Sequence, residues 1–326
     1  MRLVTPPAVV LAPFDQFMTL QGLEQPSPSP LTQEEVLEDA QLAAAVLKHF
    51  FSNKVAPTSL PAVALQVINA VAEPNVSLAA LSRLISHDPA MSAGVLKVAN
   101  SPAYAGADEI GTLRDAVTRL GLTEVSRVAG TLAARALFEP KLNPEFAAFD
   151  SKWNEIFAES VVAARAATWL AMHVRNVNGD QVFLAALLHD LGRSVAVRSL
   201  ASLGGIDQND PRVDRVIEQV HVEIGAEVHE LWSLPRFTTL VALRHHDLQL
   251  AAGEFREIHV VRLCSSLVQL RREPWRWAMV RAEVDESCAA LGIDAYVLRS
   301  LDTQLRSEFE VVASLFQERP RRRAAV

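Results

Sequence analysis

The stretch LAALLHDLGR, residues 184–193, places Leu184, Leu187, Leu188 and Leu191 at i, i+3, i+4 and i+7. That spacing predicts a core helix with an apolar stripe, and Gly192 reads as its terminator. The His189-Asp190 doublet then closes the helix, where a carboxylate meets the negative end of the helix dipole. Something must offset that charge: a metal ion, Arg193 or a neighbouring helix terminus. A second doublet, His87-Asp88 in SHDPA (residues 86–90), has different neighbours. Pro89 fits the first position of a new helix and Asp88 its N-cap, so this carboxylate is spent on its own backbone. His87 reads as a solvated linker residue.

The pattern around these doublets is helical along the whole chain. Half of the 326 residues are hydrophobic but only 6% are aromatic, so Leu, Val and Ala dominate, which favours packed helices. No segment shows the sustained two-residue alternation of a strand. Apolar faces run from Glu34 to Phe51, after Pro61, and from Ser77, which can cap its helix. They continue from Leu113 to Leu120 with a break at Gly121, from Trp153 to His173, and from Arg212 through Trp232. No apolar run approaches the roughly 20 residues of a bilayer span. Cys264 and Cys288 have no metal-type spacing. The net charge of −7 argues against general nucleic-acid binding. A cytoplasmic protein is expected, with no membrane insertion.

Residues 1–32 contain QPSPSP and lack periodicity, so they read as a disordered leader rather than a signal peptide. Residues 33–150 form a first helical lobe, 151–253 a second, 254–317 further helices and 318–326 a basic tail. Arg271, Arg272, Arg276 and Arg281 interleave with Trp275 and Trp277, a pattern that can stack on nucleic-acid bases but more often marks an amphipathic helix.

His221 and the pair His245-His246 follow the second doublet on two later helices. Imidazole and carboxylate ligands from several helices suit Fe, Mn or Zn. Taken singly, His221 on its apolar face reads as a hydrogen-bonded core residue. Adjacent helical positions point about 100° apart, so one of His245 and His246 is expected to face a shared site. His229 and His173 are expected at the surface.

With these segments in view the chain resembles the HDOD domains, bacterial signalling modules related to HD-type metal-dependent phosphohydrolases. The resemblance runs from about Leu60 to His246, through the DPA…L…ANS run, TLRDAVTRLGL, AALLHDLGR, HVEIGAEVHELWSLP and LRHH. It implies an all-α fold of two lobes, the second a degenerate HD-like core. It implies that His189 and Asp190 occupy the family's metal-binding doublet. His221, His245 and His246 match positions that supply further histidines in related cyclic-dinucleotide phosphodiesterases. Active HD enzymes also take a His from the preceding helix, where this chain has Glu159, and a closing Asp, where it has Ser265. Arg193 stands in place of a usual Lys, and no GYP-like segment follows HHD.

The leading expectation is therefore a non-enzymatic signalling or regulatory module without a resident cofactor. It would act through protein–protein or nucleotide-linked interactions, with other signalling proteins of second-messenger, chemotaxis or two-component type, a nucleotide or its own copies as partners, and the groove between the lobes is a natural partner surface. The alternative is a metal-dependent phosphohydrolase with a variant site built from Glu159, His189, Asp190, His221 and His245 or His246.

Overall fold

The computed structural model describes residues 12–21, 30–53, 62–104, 110–138, 144–250, 255–272 and 276–316, and among these there is no strand. In chain order the helices are α1 (Pro13–Gln21), α2 (Gln33–Asn53), α3 (Ala62–Ala72), α4 (Leu78–Ser86), α5 (Pro89–Ala99), α6 (Leu113–Phe138) and α7 (Asp150–Ala171). They continue as α8 (Gly179–Leu188), α9 (Leu191–Leu203), α10 (Pro211–Leu231), α11 (Arg236–Arg244), α12 (Arg256–Arg272), α13 (Trp277–Leu291) and α14 (Ala295–Phe316). The all-α expectation holds.

Local chemistry explains the punctuation of the first lobe. The Ser77 hydroxyl accepts from the Ala80 N–H at 3.1 Å and opens α4. Asp88 Oδ1 accepts from the N–H groups of Ala90 and Met91 at 2.8 and 3.1 Å, and Pro89 begins α5. His87 is exposed at the C-cap of α4. The first doublet is thus a helix junction. Gly121 sits inside α6 at φ 79°, a conformation that breaks the helix into two runs. α3, α4, α5 and α6 pack on one another, and α6 also lies against α7, α8 and α9.

The second lobe is larger than the sequence boundaries suggest. α7 pairs with α8 and α9 with α10, while α12 lies across α7 and α8 and α14 lies along α7. The helices after residue 254 are therefore part of this core. α2, predicted as part of the first lobe, packs on α9 and α10. Asp39, 1% exposed, receives the Arg215 guanidinium through two bonds of 2.5 and 2.9 Å. The leader also differs from its prediction. Phe14, Phe17 and Met18 of α1 are buried against α13 and α14, and Asp15 pairs with Arg281 at 2.6 Å. Three apolar side chains at i, i+3 and i+4 make a stripe too short to stand out in a 32-residue reading, yet long enough to dock. The rest of the leader, residues 1–11 and 22–29, and the basic tail lie outside the described residues.

The largest revision concerns the opening stretch. α8 ends at Leu188 and α9 starts at Leu191, so His189 and Asp190 form the joint between two helices, and Gly192 lies in the first turn of α9. Gly192 does not terminate a helix. A Cβ there would lie 2.0 Å from the His221 carbonyl oxygen and 2.6 Å from the Gly225 nitrogen. The glycine is required because α9 and α10 cross backbone to backbone. Gly192→Ala should cost about 3 kcal/mol or more in urea unfolding, because a buried backbone cannot yield as a side chain does. Gly111→Ala, with nothing within 4 Å of its added Cβ, should stay within about 0.5 kcal/mol of the parent.

Candidate metal centre

Three helix ends and the middle of a fourth helix deliver the candidate ligands. His189 and Asp190 come from the α8–α9 joint, His221 from the middle of α10, and His245 and His246 from the end of α11. α11 stops at Arg244, so His245 is its C-cap and His246 falls in the turn beyond. The angular rule for adjacent helical residues therefore does not apply, and both rings face His221, with centroids 5.4 and 5.2 Å away. The side chain of Arg262 on α12 holds this turn. It is buried, and it donates from Nε to the His245 carbonyl at 2.6 Å and from Nη2 to the Asp247 carbonyl.

The tautomers follow from the backbone. His189 Nδ1 lies 2.7 Å from the Ala186 carbonyl, His221 Nδ1 2.9 Å from that of Glu218, and His245 Nδ1 2.9 Å from that of Ala242. A carbonyl only accepts, so each Nδ1 carries the proton and each neutral ring presents an Nε2 lone pair. His246 donates from Nδ1 to Glu283, which also accepts from Ser266 at 2.6 Å. The lone pairs converge: His221 Nε2 is 3.3 Å from His245 Nε2, and the two lie 3.7 and 3.6 Å from Asp190 Oδ1. Asp190 Oδ1 and His246 Nε2 are buried without a hydrogen-bond partner. Acceptors that face one another with no proton between them fit a bound cation, and carbonyl- or carboxylate-anchored imidazoles are the usual metal-site arrangement. The ligand atoms of His221, His245 and His246 lie within 4.8 Å of one another, as do those of His189, Asp190 and His245.

Glu159 is placed elsewhere. It accepts from Arg272 at 2.8 Å and lies 3.6 Å from Arg193 Nη1, which in turn is 3.3 Å from Asp190 Oδ2. The Arg193 guanidinium thus stands between Glu159 and the imidazoles. Its Nη2 bonds Glu218, whose other oxygen takes Arg276 at 2.9 Å. Ser265 stands close to the centre, with Oγ 3.0 Å from His189 Nε2. Because that nitrogen is the acceptor, the serine hydroxyl donates to it and occupies its lone pair.

Electrostatics match this geometry. Burial lowers the pKa values of His189, His221 and His245, so these rings are neutral near pH 7. Burial also opposes ionisation of Asp190, but the charges of His189, His221 and His245 when protonated, and the permanent charge of Arg193, outweigh it and hold the carboxyl well below the usual range. Burial raises Glu159, against the pull of Arg193 and Arg272. Glu218 is pulled down to about 2 despite its burial, first by Arg193 and then by His221 and Arg276.

Several contributors escaped the sequence reading. Glu283, on α13, has no local signal linking it to His246. Glu218 lies three residues before His221 on one helix face, a spacing that was there to be read. His229, predicted at the surface, is wholly buried, and its Nε2 lies 3.1 Å from the Leu188 carbonyl at the end of α8. Its place is explained by α10, which buries the stripe from Val213 to Val228 against the core and carries His229 with it. His173 is exposed, as expected. The arginines of residues 271–281 are paired with carboxylates: Arg271 with Asp302, Arg272 with Glu159, Arg276 with Glu218 and Arg281 with Asp15. Trp275 lies outside the described residues.

The HDOD domain family profile matches residues 58–248, more than half of the chain, and the chain belongs to that family. An uncharacterized protein of Treponema pallidum is 26% identical over 213 residues, which cover 61% of this chain and 39% of the relative. The chain therefore spans well under half the length of that protein. Among solved structures, an HDOD domain protein of unknown function from Geobacter sulfurreducens superposes with a TM-score of 0.62 at 23% identity, over 86% of this chain and 99% of that one. A candidate metal-dependent phosphohydrolase from Shewanella amazonensis gives a TM-score of 0.59 at 22% identity, over 83% and 99%. These likenesses show a shared fold.

Two outcomes test the centre. Arg193→Met strips the cation from three carboxylates, Asp190, Glu159 and Glu218, and should cost roughly 3–5 kcal/mol in chemical denaturation. Burial lowers the pKa of His229 to about 4, so between there and its unfolded value the unfolded chain binds the extra proton. Stability from this group is present at pH 7 and lost as pH falls from about 6.5 towards 4, by on the order of 3 kcal/mol. Urea titrations of the parent and His229→Gln should therefore converge as the pH is lowered.

Proposed function

We propose that this protein is a non-enzymatic signal-transduction module whose HD-like centre is closed and structural rather than hydrolytic. The observation that carries this reading is the Ser265 hydroxyl on His189 Nε2 at 3.0 Å. At the position where the resemblance implies a closing carboxylate, the chain has a neutral donor that competes for a ligand lone pair. Accessibility supports the same reading. His189, Asp190, His221 and His245 are each 4% exposed or less, so a phosphoester has no open approach to them. Partners among second-messenger, chemotaxis or two-component proteins, and a cytoplasmic setting, belong to this reading. No helix among the described residues is long and apolar enough to cross a membrane.

The donor set itself favours a second reading, a metal-dependent phosphohydrolase with a variant site. His189, Asp190, His221, His245 and His246 would hold a divalent Fe, Mn or Zn ion, which when bound acidifies water and neutralises phosphoryl oxygens. In this arrangement Arg193 is committed to three carboxylates and is not available to a substrate, while Glu283 orients His246.

Metal analysis and a hydrolysis assay separate the two. Purified protein incubated with Mn(II), Fe(II) or Zn(II) should show no hydrolysis of bis(p-nitrophenyl) phosphate or of a cyclic dinucleotide above a His189→Ala control. Ser265→Asp, which turns the competing donor into a carboxylate, should raise metal affinity at least about tenfold. Turnover by the parent that disappears in His189→Ala would establish the hydrolase instead.

A further inference from the structure

α2 has two apolar faces, and the fold covers one of them. Ala43, Val46 and Phe50 are buried where the helix packs on α9 and α10, and the Asp39–Arg215 pair fixes it there. On the far side Val36, Leu37 and Phe51 are 54, 59 and 48% exposed, and Ala40 and Ala44 between them are exposed as well. Leu31, just ahead of the helix, is also exposed. Single apolar side chains are ordinary on a surface, but a run of them along one helix face marks a contact.

The outward face is ordered about Gln41. Glu34, Leu37, Gln41, Ala44 and Lys48 follow one another at three- and four-residue steps and are all exposed, so they share one side of the helix. Phe50, nine positions after Gln41, points about 180° away into the core. Seven residues before Gln41 stands a carboxylate, Glu34, and seven after it an ammonium, Lys48. Neither makes an ion pair among the described residues. Leu37 lies four residues before Gln41, and the small side chains of Ala44 and Ala45 lie three and four after it. The first basic residue of α2 is Lys48, whereas its opening turns carry Glu34, Glu35 and Glu38. Glu35 is spent on the Thr32 cap, and Glu38 reaches Arg212 at 3.3 Å.

We infer that this face of α2 binds a second copy of itself, the two helices antiparallel about a two-fold axis at Gln41. In that arrangement Glu34 of each copy faces Lys48 of the other, and Leu37 fills the space beside Ala44 and Ala45. Leu31 meets Phe51, and the two Gln41 amides meet at the axis, where each has both a donor and an acceptor. Parallel pairing would instead set Glu34 against Glu34 and Lys48 against Lys48, so the charges choose the orientation. A surface that is its own complement closes as a dimer and does not propagate into a filament. From Glu34 to Lys48 the helix runs about 21 Å, a contact of the small and transient class. It is formed on α2 alone and does not depend on whether the HD-like centre holds a metal.

Sedimentation equilibrium of the full chain should show a monomer–dimer equilibrium with a Kd below about 100 µM. Glu34→Lys and Lys48→Glu should each raise that Kd at least about tenfold, because each replaces two attractive contacts per dimer by two repulsive ones. The double variant Glu34→Lys/Lys48→Glu should return to within about threefold of the parent. Leu37→Asp should leave a monomer. All three positions are exposed, so thermal melting of these variants in dilute solution should stay within about 4 °C of the parent. A chain that stays monomeric up to about 100 µM overturns the inference and leaves the face to a different protein. A dimer that ignores the single charge reversals, or that the double variant does not restore, overturns it too, because the contact is then elsewhere or parallel.

Discussion

The contact between Gly192 and the backbone of His221 and Gly225 sets the geometry on which the second lobe depends. α9 starts immediately after Asp190, and α10 carries His221. Their crossing distance therefore decides how far the first imidazole lies from the carboxylate. With no side chain at residue 192, the two backbones approach until His221 Nε2 is 3.7 Å from Asp190 Oδ1. A wider crossing would move His221 away from the joint, and His245, which meets both groups, would lose its place between them.

That approach buries charge, and the surrounding side chains compensate it in layers. Asp190 gains a permanent cation in Arg193, and Arg193 gains Glu218 and Glu159. Those carboxylates gain Arg276 and Arg272 in turn. A buried ion pair is costly unless its remaining donors and acceptors are satisfied. The alternation of sign from α9 through α7 and α10 to Arg272 at the end of α12 and Arg276 at the start of α13 is how this molecule meets that condition. The same alternation removes Glu159 from the imidazole cluster, because the guanidinium between them serves both carboxylates.

The sequence made the helices legible because their signals are local. Capping at Ser77 and Asp88, the break at Gly121 and the stripe from Leu184 to Leu191 all act within a turn or two. The doublet was legible as a candidate site for the same reason, together with the family resemblance. What escaped depends on pairs far apart in the chain. Gly192 looks like a helix stop unless the crossing helix is known. His229 looks like a surface residue unless the burial of its stripe on α10 is known. Glu283 reaches His246 from 37 residues away. The leader misled for a different reason, since α1 is stable only as a docked element and its short apolar stripe has no meaning without α13 and α14 to receive it.

α8 has 10 residues, a rod about 15 Å long. Side chains from elsewhere pin both ends: Arg127 of α6 grips Asp180 at its start, and His229 of α10 holds the Leu188 carbonyl at its finish. The rod contains no proline and, after its first residue, no glycine, so it has no internal joint at which to bend. The start of α8 is therefore tied to the first lobe and its finish to the second, so the rod that ends at the His189-Asp190 joint touches both.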